Sequence, residues 1–172
     1  MELLVTVDKN YIPPLQVMLT SLHMNNPGED VELYLLHSKL QEKELEPLEK
    51  QCGRLGYKFF PVKIEDSWFS QAPVTKQYPR EMYYRLLAPC FLPQKLHRIL
   101  YLDPDILVIN SLKPLWETDM KGRLFAAAAH TGKKGNSSGR DFPVCRRTCK
   151  RASASGPGYF KRSFWLQNSG AG

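Results

Sequence analysis

The chain has few cysteines, no glycine-rich phosphate loop, no apolar run of membrane-spanning length and, beyond residue 130, almost no acid. Each shortage narrows what it can be. Four cysteines in 172 residues, Cys52, Cys90, Cys145 and Cys149, are too few and too scattered for a disulfide framework, so reduced thiols are expected. Cys145 and Cys149 have a spacing that two zinc ligands can use, but no second pair follows to complete the site. The segment from Met1 to Asp8 has an acid near either end of a short apolar stretch and no basic region, which argues against a secretory signal. With no transmembrane segment in the sequence, a cytoplasmic protein is expected. The length suits one domain with a real core rather than two full-sized ones.

The formal charge of +7 is unevenly placed. Residues 1–130 carry 15 of the 24 Lys and Arg and 16 of the 17 Asp and Glu, whereas the nine basic residues beyond them face Asp141 alone. The composition changes at the same point, becoming rich in Gly, Ser, Arg and Lys and losing its apolar runs. An ordered domain over 1–130 and a disordered or aberrant basic tail over 131–172 are therefore expected. A nucleic-acid-binding arm would interleave aromatic residues with its cations. Here Tyr159, Phe160, Phe164 and Trp165 cluster at one end, and no specific nucleic-acid partner is expected.

What is there is an alternation of strands and helices. Leu3–Val7 reads as a strand ending at Asp8. Leu15, Met18, Leu19 and Leu22 have helical spacing behind Pro13 and Pro14, which suit a helix entry. Val31–Leu36 reads as a second strand, 41–55 as a charge-laced helix with Leu45, Leu48 and Cys52 inward, and Tyr57–Val62 as a third strand. A helix is expected from Arg80 to Ala88, stopped by Pro89, and a strand from Arg98 to Leu102. Such an order predicts a parallel, Rossmann-like α/β sheet with ligands beyond the carboxyl ends of its strands. Asp8 and Asp103 both fall at such ends.

The run from Ile99 to Ile109 contains Asp103 and Asp105 and no Lys or Arg. Read as a buried strand, it places two carboxylates on one face, roughly 7 Å apart at the backbone, close enough to share one ion. Burying them without a partner is costly, so a divalent-cation clamp is the chemical reading. The alternative is that Asp103-Pro104 opens a surface turn. Because no Gly-x-Gly-x-x-Gly or Gly-x-x-x-x-Gly-Lys loop follows the first strand, a metal is the candidate for holding phosphates here.

Three segments, Val5-Thr6-Val7-Asp8-Lys9-Asn10-Tyr11, Tyr83-Tyr84-Arg85-Leu86, and Arg98 to Val108 with Leu112 and Leu115-Trp116, together resemble family 8 glycosyltransferases of the bacterial lipopolysaccharide galactosyl- and glucosyltransferase type. The resemblance implies an α/β, GT-A nucleotide-sugar-binding fold, C-terminally incomplete. It implies a retaining transferase that moves a hexosyl group from a UDP-sugar to a saccharide or lipopolysaccharide-type acceptor. By the same likeness Asp103 and Asp105 ligate Mn2+ (or Mg2+), with Pro104 between them at the donor. Asp8, Asn10 and Tyr11 contact the uridine, and Arg85 forks onto the diphosphate. No catalytic residue is implied. The family's later His-x-x-Gly-x-x-Lys-Pro-Trp region has no counterpart among His23, His37, His97 and His130, and Asn168-Ser169-Gly170 only weakly matches an earlier motif. From about Thr131 the residues are expected not to continue the family's sequence, as after a frameshift or truncation.

Two other functions compete. One is a non-catalytic remnant that binds UDP or metal. The other is a haloacid-dehalogenase-type phosphatase, whose Asp-x-Asp also follows a strand. That family expects Thr or Val where this chain has Leu107, with the motif near the start of its domain.

Overall fold

The computed structural model describes residues 1–65, 81–86, 88–123, 125–127 and 164–167. Strand β1 (Glu2–Thr6) leads through a short 3-10 turn (Lys9–Tyr11) into helix α1 (Ile12–Asn25). Strand β2 (Glu32–His37), helix α2 (Glu42–Arg54) and strand β3 (Lys58–Lys63) follow. Then come α3 (Glu81–Tyr84), α4 (Ala88–Phe91), β4 (Arg98–Tyr101), α5 (Lys113–Trp116), β5 (Phe125–Ala127) and β6 (Phe164–Gln167). The described strands form one sheet in the order β3-β2-β1-β4-β6-β5.

β3, β2, β1 and β4 are mutually parallel, as the alternation predicted. Strands of such a sheet are covered on both faces, which is why β1 reads as a continuous apolar run. Leu3, Leu4 and Val5 are all fully buried. Leu3 and Val5 pack with Leu15, Met18, Leu19 and Leu22 of α1 and Leu48 and Cys52 of α2. On the opposite face Leu4 joins Leu36, Tyr84, Ala88, Ile99 and Tyr101. Each such Leu contributes about 1.5–3 kcal/mol relative to leaving it exposed. α2 begins in a reciprocal cap, in which the Gln41 amide donates to Glu44 Oε2 at 2.8 Å and the Gln41 side chain accepts from the Glu44 amide.

Three expectations change. The helix expected from Arg80 to Ala88 is two short helices, and Pro89 lies in the first turn of α4 instead of stopping a helix. The fixed φ and missing amide of proline suit a helix start, where the amide has no intrahelical acceptor. Second, the strand expected from Arg98 to Leu102 ends at Tyr101, and the strand-like run to Ile109 does not continue it, because Pro104 and Asp105 form a turn. Pro104 has no amide for a ladder and its φ favours a turn's second position. Third, β6 belongs to the segment expected to lie outside the fold. It runs antiparallel to both β4 and β5, with Ile99 paired to Leu166 and Ala126 to Trp165. The other expectations for 131–172, including those for Cys145 and Cys149, lie outside the described residues.

The apolar stretch after the turn alternates as a strand would, with Val108 buried and Leu107 and Ile109 exposed, yet it joins no sheet. Side chains at the end of α1 satisfy its backbone instead. The Val108 amide donates to Ser21 Oγ at 3.0 Å, and Asn25 Nδ2 donates to the Val108 carbonyl at 2.9 Å. The Leu112 amide donates to Asn26 Oδ1 at 2.6 Å, while Asn26 Nδ2 donates to the Leu22 carbonyl at 3.0 Å. Asn26 is 2 % exposed, and Asn26→Ala takes the acceptor from the half-buried Leu112 amide. Urea unfolding should show a loss of about 1–3 kcal/mol. A midpoint unchanged from wild type would mean that this clamp contributes nothing to holding the segment.

Candidate donor site at the carboxyl edge of the sheet

β1 and β4 are neighbours, with Leu3 paired to Leu100, Leu4 to Tyr101, and the Leu102 amide donating to the Leu4 carbonyl at 3.0 Å. Their carboxyl ends therefore share one edge of the sheet, and the segments that leave there carry Asp8 and Asp103.

After β1, Asp8 caps the turn. Its Oδ1 accepts from the amides of Asn10 at 2.7 Å and Tyr11 at 3.2 Å, and its Oδ2 accepts from Asn10 Nδ2 at 3.3 Å. An aspartate often builds such a turn in place of a glycine loop. Its effect is to leave Asn10 exposed and the Tyr11 ring 43 % exposed beside the entry of α1.

After β4, Asp103 is held from two sides. Tyr101, the last residue of β4, lies two residues back and donates its hydroxyl to Asp103 Oδ1 at 2.8 Å. Arg85, just beyond α3, places Nη1 3.4 Å from the same oxygen, and its guanidinium lies 4.5 Å from the centroid of the Tyr101 ring. This arginine is 6 % exposed, so its charge is compensated by the carboxylate and by the ring's electron-rich face. Thr6 Oγ1 lies 3.4 Å from the Tyr101 hydroxyl and links the end of β1 to the network. Burial is the main cause that pushes the Tyr101 phenol far above its ordinary value, so it stays protonated and can donate. Asp105, past the buried Pro104, is exposed and makes no hydrogen bond among the described residues.

Asp103 Oδ1 is thus committed to the protein, while the described contacts leave Oδ2 and the whole Asp105 carboxylate to other partners. Carboxylate oxygens of this kind are the hard donors that a divalent cation such as Mn2+ or Mg2+ takes, and Asp103 and Asp105 are the residues that could supply them. No third Asp, Glu, His or Cys joins them among the described residues, so Asp8 lies outside that group. The structure therefore joins Arg85 to Asp103 directly and places Asp8, Asn10 and Tyr11 in a separate turn at the same edge. Tyr101 and Thr6 were not singled out from the sequence. The signal for Tyr101 was its position two residues before Asp103 in a strand.

The sequence model of the family described as Glycosyl transferase family 8 matches residues 2–169. The chain belongs to that family. The match runs past Thr131, where the sequence alone placed the end of the likeness. Among curated relatives, General stress protein A of Bacillus subtilis is 25% identical over 134 residues, covering 77% of this chain and 47% of that protein. Lipopolysaccharide 1,2-glucosyltransferase of Escherichia coli K12 is 26% identical over 120 residues, covering 70% of this chain and 36% of that protein. The chain thus spans about half the length or less of these relatives. A solved structure of the galactosyltransferase LgtC, in complex with donor and acceptor sugar analogs, superposes with a TM-score of 0.67 at 24% identity, covering 74% of this chain and 46% of that one. GlyE of Streptococcus pneumoniae TIGR4 superposes with a TM-score of 0.61 at 19% identity, covering 96% of this chain and 33% of GlyE. At these identities the likeness is one of fold, and the fold of this family 8 chain is the GT-A type of α/β architecture.

Proposed function

We propose that this chain is the donor-binding part of a glycosyltransferase that takes a hexosyl group from a UDP-sugar and passes it, with retention, to a saccharide or lipopolysaccharide-type acceptor. The observation that carries the reading is the network Thr6–Tyr101–Asp103–Arg85 at the carboxyl edge, with Asp105 exposed one turn beyond it. Asp103 and Asp105 would hold a divalent cation, Mn2+ or Mg2+, and orient the donor diphosphate through it. Bound there, the ion supplies Lewis-acid stabilisation of the charge that grows on the leaving nucleotide. Arg85 supplies a fixed positive charge beside the same phosphates, in a geometry that forks onto oxygens. The exposed Tyr11 ring offers a face to the uracil, and Asn10, held by Asp8, offers polar contacts to base and ribose. Pro104 fixes the turn that separates the two carboxylates. A cytoplasmic location is part of this proposal, and there the thiols of Cys52 and Cys90 would stay reduced.

A second reading is a remnant that binds UDP or metal without transfer. The observation favouring it is that no third ligand group completes the ion's coordination among the described residues. Transfer also needs the acceptor positioned and water excluded. One experiment tests both. Titrating the purified chain with UDP, with Mn2+ and with a chelator, should show clearly tighter binding with Mn2+. Equal affinity in the two conditions overturns the metal-bridged donor site. Release of sugar onto a saccharide acceptor separates the transferase from the remnant.

A further inference from the structure

We infer that Tyr101 is a positioning residue for the donor site, fixing the Asp103 carboxylate so that Oδ1 belongs to the protein and Oδ2 faces the ligand. The inference rests on the proposed donor site and assigns it a residue that touches neither nucleotide nor sugar. Contacts with Asp103, Thr6 and Arg85 converge on this one side chain. Its hydroxyl donates to Asp103 Oδ1 at 2.8 Å, lies 3.4 Å from Thr6 Oγ1, and its ring backs the Arg85 guanidinium at 4.5 Å. Tyr101 is 1 % exposed, on a strand whose register is set by β1, so its oxygen is placed by the core and not by the loop.

The neighbouring turn makes that anchor necessary. Asp103 lies beyond the last paired residue of β4, and the terminal torsion of an aspartate is broad. Without Tyr101 the carboxylate would be steered, among the described residues, by Arg85 at the longer distance of 3.4 Å, and that arginine is itself the proposed phosphate contact. The Tyr101 hydroxyl lets Asp103 keep its orientation when Arg85 turns to a phosphate. Partners that orient a ligating carboxylate in this way typically change metal affinity by about 10–100-fold when removed. Thr6 extends the chain of orientation to β1, two residues before Asp8, so both halves of the site share one rigid support.

Tyr101→Phe removes the oxygen and keeps the ring beneath Arg85. Thr6→Val removes the far hydroxyl with little change of shape, and Thr6→Ser restores it. UDP is titrated into the full chain and each variant, once with Mn2+ and once with a chelator, alongside thermal midpoints. Tyr101→Phe is expected to lose about tenfold of UDP affinity with Mn2+ and none with the chelator. Thr6→Val is expected to shift the same way by less, and Thr6→Ser to match wild type. Wild-type affinity with Mn2+ in Tyr101→Phe, or an equal loss in both conditions, overturns the positioning role and leaves the metal site standing. If Tyr101→Phe does not fold, the Thr6 pair decides, and equal Mn2+-dependent affinity in Thr6→Val and Thr6→Ser overturns the role. Absence of any Mn2+ effect in the wild-type chain overturns the donor-site reading and the positioning role with it.

Discussion

Replacing Asp105 by Ala removes most of the manganese-dependent part of UDP affinity, at least about tenfold, or about 1.4 kcal/mol, and leaves the fold untouched. The two halves of this expectation come from different observations. Asp105 is exposed and makes no hydrogen bond among the described residues, so its truncation breaks nothing within the described chain. Its proposed contribution is to a bound ion, where one of the two proposed carboxylate ligands is lost. Asp103→Ala should show the same loss of binding with a cost in stability as well. It removes the Asp103 carboxylate from the Arg85 guanidinium, which is 7 % exposed at its side chain. Binding in the chelator is the control, because the carboxylates are proposed to reach the nucleotide only through the ion. Unchanged affinity with Mn2+ in the double variant would remove both aspartates from the donor site.

The parallel α/β sheet and the place of Asp8 and Asp103 just after two of its strands were legible in the sequence for a simple physical reason. In a parallel sheet covered on both faces, burial fills strands such as Leu3 to Val5 with apolar residues, and the first polar residue after each run marks its carboxyl end. Asp8 and Asp103 were found that way. The run from Ile99 to Ile109 misled for the same reason. Ile106 and Val108 face the core as strand residues would, but the Val108 backbone is held by Ser21 and Asn25 and the Leu112 amide by Asn26, all more than 80 residues earlier. Nothing local distinguishes a ladder bond from a side-chain bond at that distance. The turn at Pro104 was among the readings the sequence left open, and the structure takes it. β6 was hidden by composition. Phe164 to Gln167 is four residues in a strongly basic context, and charge averaged over the segment masked a short paired strand.

The polar network was legible only in part. Arg85 lies 18 residues before Asp103, and periodicity carries no information about such a pair. Tyr101 was within reach, since a strand's two-residue period puts it on the face of Asp103. Tyrosine in a strand is common enough as core filling that its hydroxyl drew no attention. The structure shows the ring doing both, with its body in the cluster of Leu4, Tyr84 and Ile99 and its hydroxyl at the site's edge.

Arg85→Met is expected to act on stability and binding at once, and in a pattern opposite to that of Asp105→Ala. Removing one partner of a buried pair commonly costs about 3–5 kcal/mol, because the other charge is left uncompensated. Here Asp103 is 20 % exposed at its side chain and keeps the Tyr101 hydrogen bond, so water and the phenol absorb part of the penalty. A loss nearer about 2–3 kcal/mol is the expected result in urea unfolding. UDP affinity should fall about tenfold with Mn2+ and by a similar factor in the chelator, since a guanidinium beside the phosphates needs no ion to act. Arg85→Lys separates the two effects. Its charge still compensates Asp103, so most of the stability returns, but a point charge on a flexible stem cannot fork onto two oxygens, so the loss of binding largely remains. If Arg85→Met lost stability yet bound UDP as wild type does in both conditions, the arginine would be a structural partner of Asp103 and no part of the donor site.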